Sequence, residues 1–250
     1  MVAGPSKADR RAVAVTWVRR LAAEAIGTFA LVFVAAGGDT AARLSDGMVD
    51  PTARAIAPAL VVAALIYAVS DQSGAHFNPA VSLAFALRRE LPASWLGPYW
   101  AAQAGGAVAA AWVLAALFGD AAAAGVSRPH IPAATALVTE AILTTLLVTV
   151  ILGTADRARI VGPNAALAVG ATIAACGLVA LPIEGASMNP ARSLGPAVVS
   201  GDIGDLWIYI AGPVLGACLA VAGVGLLRGG RDPDPRTSEA AMGDSGRGQA

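Results

Sequence analysis

The chain is 250 residues long, 56% hydrophobic and only 14% charged, with no net charge and a mean hydropathy of +0.66. Soluble domains carry about a quarter charged residues, so this composition points to a membrane-embedded protein and away from a surface-bound one. No basic block or basic-aromatic interleaving is present, which excludes nucleic acid as a partner.

Residues 1–16 form a basic amino terminus with Lys7, Arg10 and Arg11, and Arg19 and Arg20 follow shortly after. The next apolar stretch, 21–38, is too long for a signal peptide, contains Glu24 and lacks a small-x-small cleavage site, so it reads as part of the first transmembrane helix. A hydrocarbon core about 30 Å thick needs about 20 apolar helical residues. Residues 17–38, 53–70, 95–118, 131–153, 164–182 and 206–227 meet that requirement. Apolar residues cover nearly every face of these segments, so periodicity does not orient them. Gly27, Gly105, Gly106, Gly170, Gly212 and Gly216 are positions where neighbouring helices can approach closely.

Two shorter apolar pieces, 79–87 and 190–199, remain. At about 1.5 Å per residue each reaches about halfway across the core, and two entering from opposite faces together cross it. Cys176 and Cys218 fall in apolar runs with no metal-like spacing and read as small buried hydrophobes. The tail, 229–250, is rich in Gly, Asp, Arg and Ser and is expected to be disordered.

Most of the 17 Lys and Arg lie in the amino terminus, at Arg88–Arg89, at Arg157 and Arg159, and in the tail. The opposite loops are read as holding Arg43, Arg54 and Arg128 among Asp39, Asp46, Asp50, Asp120, Asp202 and Asp205. The positive-inside rule then places both termini in the cytoplasm of a multi-pass protein of the cell membrane.

The chain repeats. Thr139-Glu140-Ala141-Ile142 echoes Ala23-Glu24-Ala25-Ile26, and Asn189-Pro190-Ala191-Arg192 echoes Asn78-Pro79-Ala80-Val81. The units, about 17–118 and 131–227, hold three spans each, an odd number, so the second is inverted and their shared site lies near the midplane. The expected fold is an all-α membrane protein of six transmembrane helices plus two re-entrant half-helices in an inverted three-helix repeat. The expected organisation is a channel domain at 17–228 between the amino terminus and the tail.

Asn-Pro is a helix-start signal: Asn caps free N–H groups and Pro suits the first helical position. Two half-helix starts meeting at the midplane present two positive ends, each about half a charge, to one spot. Cations are repelled there, while the Asn78 and Asn189 amides can donate to a neutral oxygen. Arg192, three residues after Asn189, lies on nearly the same face; its counterpart is Val81, so the path is asymmetric. An intramembrane Arg is functional by default and lines an aqueous cavity. Glu24 and Glu140 can serve as a proton relay or accept hydrogen bonds from the loop N–H groups, and the second reading satisfies groups that lipid cannot. His76 can act as a pH gate or brace the loop as a neutral side chain.

Ser73-Gly74-Ala75-His76-Phe77-Asn78-Pro79-Ala80-Val81 and Gly185-Ala186-Ser187-Met188-Asn189-Pro190-Ala191-Arg192-Ser193 resemble the twin signature of the aquaporin, or major intrinsic protein, family. The resemblance covers about residues 20–227, and the second motif is most similar to the nodulin-26-like branch. It implies homotetramers with one pore per protomer, passive conduction of water or small neutral solutes, and exclusion of protons and ions. It also implies that Arg192 marks the narrowest point, beside Ala186 (three before Asn189), Gly177 (twelve before it) and Pro58 (twenty before Asn78). Water-specific relatives typically carry an aromatic residue and a histidine at two of these positions; here neither occurs. The implied constriction is wide and part apolar, suiting glycerol or compact hydroxides such as boric or arsenous acid.

A secondary transporter of a small neutral solute is the alternative, but it needs a titratable or ion-binding group at the midplane, where the motifs place only amides. An ion channel would show acidic rings or carbonyl filters. An enzyme would need a nucleophile-base pair or a metal cluster, and the only histidines are His76 and His130. No cofactor and no metal are expected.

Overall fold

The computed structural model describes residues 7–155, 164–228 and 235–243. Among these residues the regular structure is entirely helical: α1 (Lys7–Leu44), α2 (Pro51–Ser73), α3 (Pro79–Leu87), α4 (Ala93–Phe118), α5 (Ala133–Ala155), α6 (Ala165–Glu184), α7 (Pro190–Ser200), α8 (Ile208–Arg228) and α9 (Pro235–Met242), with a 3-10 segment at Gly119–Gly125. Six of them, α1, α2, α4, α5, α6 and α8, are long and apolar enough to cross a membrane. The two half-helices expected from the sequence are α3 and α7.

Local chemistry sets several boundaries. The Asp50 carboxylate accepts from the Ala53 N–H at 2.9 Å and Pro51 takes the first position, which starts α2. Gly74 (φ 84°) and Gly185 (φ 95°) end α2 and α6 in the left-handed conformation, which glycine adopts without a Cβ penalty. α1 is longer than expected at both ends, beginning inside the basic terminus and continuing past Gly37–Gly38 to Leu44. Between Lys7 and Leu21 no Pro or Gly interrupts it. At Gly37 and Gly38 a Cβ would meet its nearest neighbours, Leu114 and Arg54, at ordinary contact distances of 3.6 and 3.8 Å, and the helix continues through both glycines.

The packing repeats with the sequence. α1 packs on α2 and α4, and α5 packs correspondingly on α6 and α8. α2 meets α6, and the half-helices cross over: α3 packs on α8 and α7 on α4. A Cβ on Gly106 would lie 2.2 Å from the Ala25 carbonyl oxygen, and one on Gly216 would lie 2.5 Å from that of Ala141. The residues after the two repeat glutamates are therefore the matched crossing points of both helix pairs. Gly105, by contrast, faces open space within the chain.

Ile26, Leu60, Trp112, Ile142, Leu167 and Val179 are exposed on the outside, an apolar surface suited to lipid. Cys218 also faces outward, whereas Cys176 is buried. The loop carrying Arg157 and Arg159 lies outside the described residues. The described part of the tail holds α9, where disorder was expected. Ala241 is fully buried, and its carbonyl oxygen would lie 2.3 Å from a Cβ on Gly74, so α9 is seated against the end of α2.

Candidate functional site

Asn78 and Asn189 occupy the caps that precede α3 and α7, both with extended backbone. The Asn78 Oδ1 accepts from the Ala80 N–H at 2.9 Å, and the Asn189 Oδ1 accepts from the N–H groups of Ala191 (3.0 Å) and Arg192 (3.3 Å). Pro79 and Pro190 follow each cap. Each amide then reaches into the other half: Asn78 Nδ2 donates to the Met188 carbonyl and Asn189 Nδ2 to that of Phe77, both at 2.8 Å. An amide NH2 has two donors, so one hydrogen of each remains after this exchange.

The loops leading to the caps are held in matched, strained shapes. Ala75 and Phe77 before Asn78, and Ala186 and Met188 before Asn189, all have φ between 42° and 54°. Non-glycine residues rarely adopt such φ values, and surrounding bonds must over-determine them. Glu24 supplies those bonds in the first half, accepting from the N–H groups of His76 (2.9 Å) and Phe77 (2.7 Å), the Ser73 hydroxyl (2.7 Å) and the Gln103 amide (2.8 Å). Glu140 accepts from the N–H groups of Ser187 (2.6 Å) and Met188 (2.8 Å). Both glutamates are fully buried. His76 stacks on Phe85 and lies 2.9 Å through Nδ1 from the Ser82 hydroxyl, the geometry of a brace.

Two cavities meet at the asparagines. A wider one of about 370 Å³ is lined by Val62, Phe85 and Val169 with His76, and Ala240 of α9 borders it. A narrower one of about 60 Å³ is bordered by Pro58, Gly177, Ala186 and Arg192. Asn78 and Asn189 border both. The four positions counted from the motifs thus come together around one cavity. A Cβ on Gly177 would lie 3.2 Å from the Ala55 Cβ, so this glycine also sets the spacing of α2 and α6.

Several residues here escaped the sequence reading. The Tyr99 hydroxyl donates to the Ser73 carbonyl at 2.8 Å, and the Tyr209 hydroxyl donates to the Glu184 carbonyl. The available signal was the spacing they share with Gly106 and Gly216. Arg192 is not the only fixed charge: its Nη2 lies 3.3 Å from the Asp39 Oδ2, and Arg54 also borders the narrow cavity. Both Asp39 and Arg54 were expected in outer loops, but α1 and α2 extend far enough to include them.

The Major intrinsic protein family profile matches residues 11–223. Aquaporin NIP1-1 of Oryza sativa subsp. japonica is 42% identical over 224 residues, covering 87% of this chain and 77% of that protein. Aquaporin NIP2-1 of the same plant is 41% identical over 199 residues, covering 80% and 67%. The X-ray structure of the aquaglyceroporin from Plasmodium falciparum shares the fold, with a TM-score of 0.73 and 23% identity over 84% of this chain and 95% of that one. With a family profile along most of its length and relatives above 40% identity, the chain belongs to the major intrinsic protein family, a family of passive channels for water and small neutral solutes.

Proposed function

We propose that the narrow cavity is the selectivity constriction of this channel, and that it admits glycerol and compact neutral hydroxides, such as boric or arsenous acid, as well as water. The observation that carries this reading is the wall itself: Pro58, Gly177 and Ala186 face Arg192 with no aromatic ring or imidazole among the bordering residues. Such a wall offers a carbon face on one side and guanidinium donors on the other, matching a solute with both. The two Asn amides donate to its oxygen in passing. The half-helix ends and Arg192 oppose cations and protons. In this reading His76 and the two glutamates hold the loops and do not relay protons.

The channel works as a homotetramer in the cell membrane, with both termini in the cytoplasm and the wide cavity opening on that side. The basic-residue asymmetry supports the orientation, and reporter fusions at Ala121 (outside) and Gly230 (inside) test it. The function test is stopped-flow permeability of proteoliposomes to water, glycerol and boric acid. All three are expected to pass, with flux following the solute gradient alone. Passage of water without the other two overturns the wide-pore reading, and dependence on a pH or sodium gradient favours a transporter.

A further inference from the structure

The channel motifs account for Arg192 but not for the two charged residues beside it. Asp39 of α1 is buried, at 6% exposure, and Arg54 of α2 is about a quarter exposed, at 28%. Arg54 binds one carboxylate oxygen, with Nε at 2.7 Å and Nη2 at 2.6 Å from Oδ1. Arg192 Nη2 approaches the other, Oδ2, at 3.3 Å. One carboxylate thus serves two guanidinium groups, and both border the narrow cavity. We propose that Asp39 is the positioning residue for Arg192, and that Arg54 is a second cation that determines selectivity at the constriction.

Arg192 is held at two points of different chemistry. Its Nη1 donates to the Ser127 hydroxyl, which lies 2.7 Å from that of Ser193; Ser193 in turn donates to Ser187 at 2.6 Å. The Ser187 hydroxyl donates to the Asn189 carbonyl at 2.9 Å, so this chain of hydroxyls ends at the cap of α7. It is neutral throughout and ties Arg192, by way of Ser127 in the connection between the repeats, to the start of its own half-helix. Asp39 supplies the charged contact from the other half. A planar guanidinium fixed at both ends lies in one orientation, leaving its remaining N–H groups for solute.

Arg54 needs the same carboxylate. With Asp39 in place, the outer constriction holds two positive charges and one negative charge, a net positive site that still presents an acceptor. Without it, two like charges share a small, largely apolar cavity and repel strongly, because such a site screens little. Arg54 is partly exposed and has solvent to move into, whereas buried Arg192 does not. Loss of the carboxylate therefore moves Arg54 out of the pore wall and leaves Arg192 without its charged contact, and both changes alter the constriction. This inference rests on the narrow cavity being the constriction.

The test uses the full chain in proteoliposomes, with Asp39→Asn, Arg54→Gln, the double variant and Arg192→Val beside the parent. The readouts are the glycerol-to-water permeability ratio, which does not depend on the amount of folded protein, and proton leak in pH-loaded vesicles. Asp39→Asn is expected to shift the ratio by at least about twofold, the lower range for residues in contact, and to raise the leak. Arg54→Gln, which leaves the Asp39–Arg192 contact intact, is expected to shift the ratio as well. The double variant is expected to lie closer to the parent than Asp39→Asn does, since the repelling cation is gone. Parental ratio and leak in Asp39→Asn, or strictly additive effects in the double variant, overturn the inference. Should Asp39→Asn fail to fold, an unchanged ratio in Arg54→Gln overturns it. If Arg192→Val also leaves ratio and leak unchanged, the constriction reading itself has failed; if only Arg192→Val moves them, the inference alone has.

Discussion

Replacing Glu140 tests how the second re-entrant loop is held, and its two oxygens make the expected cost countable. Oε1 accepts from Ser187 N–H at 2.6 Å and Oε2 from Met188 N–H at 2.8 Å. Glu140→Ala leaves both donors buried without that acceptor, at about 1–3 kcal/mol each, or about 2–6 kcal/mol together. Glu140→Gln keeps one oxygen but turns an NH2 toward the second N–H, so about half of that loss is expected. The difference between the two variants is then one N–H group, about 1–3 kcal/mol. For a chain of this size each kcal/mol moves the melting temperature by about 2–4 °C. Thermal unfolding of detergent-purified protein should rank parent above Glu140→Gln and Glu140→Ala last, with the two variants several degrees apart. Coincident melting of the variants would refute the reasoning and assign the role to the carboxylate charge. Glu24 accepts from two backbone N–H groups and two side chains, so Glu24→Ala should be at least as damaging as Glu140→Ala.

Gly177→His should lower the glycerol-to-water permeability ratio about tenfold, the effect of about 1.4 kcal/mol on a barrier. The new Cβ meets Ala55 at 3.2 Å, which leaves the narrow cavity as the space for the ring; an unchanged ratio would place the ring elsewhere. Arg192→Val should still pass neutral solutes, with an altered glycerol-to-water ratio, and raise proton leak; a parental leak in pH-loaded liposomes would count against the role given to the guanidinium. Truncation after Arg228 removes α9 from the border of the wide cavity, so water permeability per channel should rise. Equal permeability would mean that α9 does not restrict the path in a bilayer.

The parts of the site legible in the sequence are those where one residue type has one backbone use. Asn-Pro marks a helix start wherever it stands, and two copies in an inverted repeat place both starts together. Pro58, Gly177 and Ala186 are reached only through the family resemblance, which supplies their offsets from the two Asn residues. What escaped depended on partners distant in sequence. Asp39 and Arg54 look like loop residues because a hydropathy window weighs each charge alone, yet 15 residues apart they pair between two helices. Gly37–Gly38 looks like a helix end because glycine is a weak helix former, yet α1 runs through both to Leu44. The polar composition of the tail hides the short Ala240-Ala241-Met242 stretch, which becomes meaningful only beside the bare backbone of Gly74.

The exchange of amide bonds between Asn78 and Asn189 also bears on how the chain is made. Asn78 finds its acceptor 110 residues further on, and Asn189 finds its own 112 residues back. At about 5–20 residues per second, synthesis of the intervening chain takes about 5–20 s. Throughout that interval the first loop has its glutamate and its own cap but lacks the Met188 carbonyl that accepts from the Asn78 amide, so its seat at the midplane is incomplete. The first three spans therefore enter the bilayer as a provisional assembly. The pore closes around its path only when the second half arrives, which makes the late-made loop the step that commits both halves at once.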